Sequence, residues 1–65
     1  MKLKEKLKYI VDHHGSIRSA SRRSGIAYMT LYDIFVGRSN DDAVRMSTYK
    51  AVTDEYIRVK RSSND

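Results

Sequence analysis

The chain has 65 residues and no cysteine, and 13 Lys and Arg against 8 Asp and Glu give it a formal charge of +5. That length limits it to one thinly cored domain, since a domain of this size buries only roughly 60% of the surface its unfolded chain exposes. Disulfides and thiolate metal sites are excluded, no apolar run approaches the ~18–20 residues of a membrane span, and the basic balance favours a polyanionic partner, nucleic acid above all.

Proline is absent and strand-like alternation is poor, so the expected fold class is all-α, a small domain of four or five helices. Leu3, Leu7, Ile10 and Val11 recur at the spacing of one helical face and predict a first helix over Lys2–His13. Lys2, Lys4, Lys6 and Lys8 cover its other sides without the continuous apolar stretch of a signal peptide, so the chain reads as cytoplasmic. Gly15 ends this helix, and Ser16 is a good N-cap for the next. The second helix is expected over Ile17–Ser24, with Ile17, Ala20 and the small Ser21 turned inward. Gly25 stops it, and Ile26 is the apolar residue of the turn. A third helix is expected over Tyr28–Val36, buried through Leu31, Ile34 and Phe35 and ended by Gly37.

Arg38–Asp42 reads as a loop or a helix start. Asn40 is placed to cap a short turn whose acids, Asp41 and Asp42, suit the positive end of a helix dipole. Val44 and Met46 are candidates to close the core from below. Ser47 is a second candidate N-cap, ahead of a last amphipathic helix over Thr48–Lys60 that carries Tyr49, Val52, Tyr56 and Val59 on one face. Residues 1–60 would form the domain, and residues 61–65 a polar tail. The acids gather late, at Asp41, Asp42, Asp54, Glu55 and Asp65, which leaves the first forty residues strongly basic.

The informative stretch is Ser16–Arg38. Two short helices meet at a glycine turn, and each scaffold position has a physical reason. Ser21 lies where the helices cross, and a small side chain there permits close approach. Gly25, four residues on, permits a positive φ. Leu31 and Ile34 bury the inner face of the following helix. Ser16-Ile17-Arg18, Ala20, Gly25-Ile26 and Thr30-Leu31 resemble the Pipsqueak-type motif. Gly25-Ile26, Thr30-Leu31-Tyr32 and Phe35 also resemble an element of site-specific invertases and tetracycline-repressor-type regulators. Ile34-Phe35-Val36-Gly37-Arg38-Ser39-Asn40 is similar to the closing segment of phage repressor and Cro-like proteins. Two departures from these patterns matter. Ser21 replaces the usual alanine, with a hydroxyl able to bond back to its own helix, and Ser24 replaces a large apolar residue, which removes one core anchor.

The resemblance implies a helix-turn-helix that binds double-stranded DNA in sequence-specific fashion, as a small transcriptional regulator, a repressor of phage or mobile-element type. It implies that the helix from Tyr28 enters the major groove and that Ala27, Tyr28, Met29, Tyr32 and Asp33 are the base-reading candidates. None of these is Arg, Lys, Gln or Asn, the side chains best suited to bidentate base contacts. Ser16, Arg18, Arg22, Thr30, Arg38 and Asn40 are the phosphate candidates. One short recognition helix reads few base pairs, so a homodimer is expected, with Thr48–Lys60 as its candidate face.

Blander readings stand beside these. The exposed Tyr28, Met29 and Tyr32 would also suit a protein-interaction module that docks another regulator or the transcription machinery. RNA binding is a weaker rival. Asp12-His13-His14 invites a metal, but adjacent residues on a helix do not share a face, and the helix dipole explains histidines at a C-terminus more simply. No cofactor or metal is expected, and no spacing of catalytic residues stands out, so the chain does not read as an enzyme.

Overall fold

The structure is a computed structural model and describes residues 2–39 and 41–63. Asn40, the expected cap and phosphate contact, lies outside the described residues, as do the last two residues of the expected tail. The described residues form four α-helices and a single 3-10 turn: α1 (Leu3–His14), α2 (Ile17–Ser24), α3 (Tyr28–Phe35), the turn Asp41–Ala43, and α4 (Met46–Ser63). This is the all-α domain expected, and no helix in it is long and apolar enough to cross a membrane.

α1 is the central element, packed against α2, α3 and α4. Its stripe of Leu3, Leu7, Ile10 and Val11 meets Ala20 of α2, Leu31 and Ile34 of α3 and Val52 of α4 in one buried cluster. Ile17, Ile26, Phe35, Val44, Tyr49 and Tyr56 pack around it. The tyrosines of α4 are thus part of this packing. The Tyr9 ring meets Tyr56 edge-on at 5.3 Å between centroids. Lys6 lies over the Tyr49 ring at 5.1 Å and donates to Thr53 Oγ1 at 3.2 Å, tying α1 to α4.

The α2–α3 junction follows from three residues. Ser16 is extended, and its Oγ accepts from the Ser19 N–H at 3.1 Å, as an N-cap does. Gly25 takes φ +76°, a conformation costly for any residue with a Cβ, while its N–H closes α2 on Ser21 O. The two serines that depart from the family patterns both act on Ile26. Ser21 Oγ donates to Ile26 O at 2.6 Å, and Ile26 N–H donates to Ser24 Oγ at 3.2 Å. The Ser21 hydroxyl therefore bonds across the turn, not back to its own helix as the sequence suggested. The apolar anchor missing at position 24 is replaced by a polar clamp on the turn, each bond contributing about 1 kcal/mol.

Several expected boundaries shift. α1 runs one residue further, to His14. α3 ends at Phe35, with Val36 as its C-cap. There the Asp33 carbonyl accepts from both Arg38 N–H (2.8 Å) and Ser39 N–H (3.2 Å), which folds the chain back after Gly37 at φ +85°. α4 begins two residues early, because Arg45 O already accepts the Tyr49 N–H at 2.9 Å. Ser47 thus lies inside the first turn of α4 and does not cap it. Met46 does not close the core: it is 82% exposed, and Val44 and Tyr49 reach the core in its place. Arg61, Ser62 and Ser63, expected in the polar tail, continue α4, where Lys60 and Arg61 suit the negative end of the helix dipole.

Candidate nucleic-acid interface

On α2, Arg18 and Arg22 are exposed and stand four residues apart, which puts them on one side of the helix. Ser19 and Arg23 lie on another side. They line a polar cleft with His13 and His14 of α1 and Arg58 of α4. The two adjacent arginines, 22 and 23, are therefore divided between two surfaces. Ser16 is exposed, but its hydroxyl is committed to Ser19 N–H, so the cap itself organises the helix start.

α3 buries Leu31 and Ile34 and leaves its opposite side open. Ala27 is exposed and opens the helix by accepting the Leu31 N–H at 3.1 Å. Tyr28 is 41% exposed and Met29 59%. The Tyr28 and Tyr32 rings stack, with centroids 6.2 Å apart and planes 19° from parallel, and Tyr32 is half-buried. The structure thus gathers Ala27, Tyr28, Met29 and Tyr32 on one accessible side. Thr30 and Asp33 are half-buried and line a cleft with Ser39, Val44, Arg45 and Thr48. Arg38 is exposed just past α3. Between Ser16 and Arg38 there are four arginines and one acid, Asp33, so the accessible charge of this segment is positive.

Val36 was missed as a surface residue. It is 44% exposed and lies four residues after Tyr32 and seven after Met29. That spacing on a helix was the available signal.

A second feature not anticipated is Glu55, buried in α4 at 7% exposed. It lies three residues after Val52 and four before Val59, on the same inward face. Arg58 holds it with two hydrogen bonds, Nε to Oε1 at 2.8 Å and Nη2 to Oε2 at 2.6 Å. His14 Nε2 lies 3.0 Å from Oε2. A carboxylate only accepts, so this nitrogen carries the proton and donates. Arg58 is the chief cause that lowers the Glu55 pKa below the usual carboxylate value; burial opposes the shift and His14 adds to it. His14 is thereby taken up by Glu55, and among the described residues no group of three or more His, Cys, Asp or Glu is placed to hold a metal.

The chain matches no protein-family model, no curated protein and no solved structure.

Proposed function

We propose that the protein binds double-stranded DNA through α2 and α3, with sequence preference, as a small transcriptional regulator. The observation that carries this reading is the juxtaposition at one junction. α3 keeps an open face, while exposed arginines stand on α2 (Arg18, Arg22) and just past α3 (Arg38). A helix inserted in a major groove needs both: side chains aimed at base edges and cations for the flanking phosphates. The resemblance of Ser16–Asn40 to phage repressor, invertase and Pipsqueak-type motifs points the same way.

Dimerisation is the further expectation for so short a reader. Val52 and Val59 are buried in the chain's own core, and Glu55 is held by His14. A dimer through α4 would therefore use its outer side, where Lys50, Asp54 and Arg61 surround the exposed Ile57.

The α3 face also favours a second reading, a docking surface for another protein, because it offers apolar and aromatic groups without a bidentate donor. Paired substitutions separate the two. On the DNA reading, Arg18→Ala and Arg38→Ala weaken binding to all duplexes about equally, and each lowers the slope of log K against log salt by about 0.9. Tyr28→Ala instead changes the ranking among duplexes. A protein-docking surface would give no duplex binding for any variant, and an unchanged ranking in Tyr28→Ala would move the reading face elsewhere.

A further inference from the structure

The exposed side of α3 is unusual in its chemistry. From Ala27 to Val36 it contains no Arg, Lys, Gln or Asn. Its one charged residue, Asp33, is half-buried at the cleft shared with Arg45 and Thr48. What remains outward is Tyr28, Met29, Tyr32 and Val36, with Met29 (59%) and Val36 (44%) the most exposed. Met29 and Val36 are two helical turns apart on one line, and the stacked Tyr28–Tyr32 pair forms a flat wall beside them. Exposed arginines at 18, 22 and 38 accompany this apolar line. That charge favours a polyanion over an apolar protein groove as its occupant.

A major groove presents donors and acceptors on every base pair and only one apolar group, the C5-methyl of thymine. Resting on the DNA-binding reading above, we infer that α3 recognises 5-methylpyrimidine edges. Met29 and Val36 cover the methyl groups, and the Tyr28–Tyr32 stack holds the approach. The preferred duplexes are then those that place thymines under the helix. Methylated cytosine carries the same C5-methyl and competes for the same contacts.

The test uses the full chain and a duplex recovered by selection from a random-sequence pool. Each thymine is replaced in turn by uracil, which deletes only the methyl. Binding weakens about fourfold at each contacted position, the value of one buried methyl group. Methylation of a cytosine at a contacted position strengthens binding by a similar factor, as the shared C5-methyl requires. Met29→Ala, on an exposed side chain that leaves the core intact, abolishes the thymine–uracil difference at its position. Equal affinity for thymine and uracil duplexes overturns the inference while the DNA-binding reading stands. If the selection recovers no bound duplex at all, both fall, and the apolar line belongs to a protein partner.

Discussion

Leu31→Ala is expected to lose about 2–5 kcal/mol of stability and to leave a substantial fraction of the protein unfolded at room temperature. Leu31 is 1% exposed and joins α3 to the cluster built on α1. A single core in a chain this short rarely supplies more than about 3–5 kcal/mol. No disulfide reinforces it. α3 has only eight residues, and an isolated helix of that length does not form in water. Its position, and so the whole candidate reading face, depends on this packing. Urea denaturation followed by circular dichroism measures the effect. A loss under about 1 kcal/mol would mean that α3 is held by something other than its inner face.

The second large effect concerns Glu55. Glu55→Ala removes the acceptor of both His14 and Arg58 and is expected to cost about 1–3 kcal/mol. The pH dependence has a definite sign. The folded protein holds the Glu55 pKa below its ordinary value of 4.5. Its contribution to stability is therefore full above that value and is lost as pH falls through the lower, folded value. Wild type should weaken on acidification below about pH 4.5, and Glu55→Gln should show a flatter acid limb over the same range. His13, Arg23 and Arg58 line the cleft beside His14. Loss of this carboxylate would leave the Arg58 guanidinium without its counter-charge. Thermal melts from pH 7 to pH 3 test this, and identical acid limbs for wild type and Glu55→Gln would remove Glu55 from the account.

The scaffold was largely legible in the sequence because it depends on local signals. Ser16 and Gly25 mark helix ends by their own chemistry, and both act as expected. Leu3, Leu7, Ile10, Val11, Leu31, Ile34, Val52 and Val59 follow helical periodicity and are all buried. What escaped was tertiary. Nothing local says that Ser21 and Ser24 bond to the two polar groups of the same turn residue, or that Glu55 finds a histidine forty-one positions away. Met46 has the composition of a core residue but opens α4 without a partner to cover it. The candidate site was legible as a segment, less so as a surface. The residue names place Thr30 and Asp33 with the reading and phosphate groups, and only the fold shows that both are half-buried beside a cleft with Val44, Arg45 and Thr48. Val36 carried a helical spacing that pointed to the surface, yet it served only to mark the helix end.

On the proposed DNA-binding reading, the α2–α3 junction is the surface that meets the duplex. Titration of isotope-labelled protein with a selected duplex, read residue by residue from backbone amide NMR shifts, tests it most directly. The largest changes are expected at Ser16–Arg18 and Ala27–Val36, with Lys50, Asp54, Ile57 and Arg61 on the outer side of α4 little affected. Shifts centred on α4, or none at low salt, would contradict it.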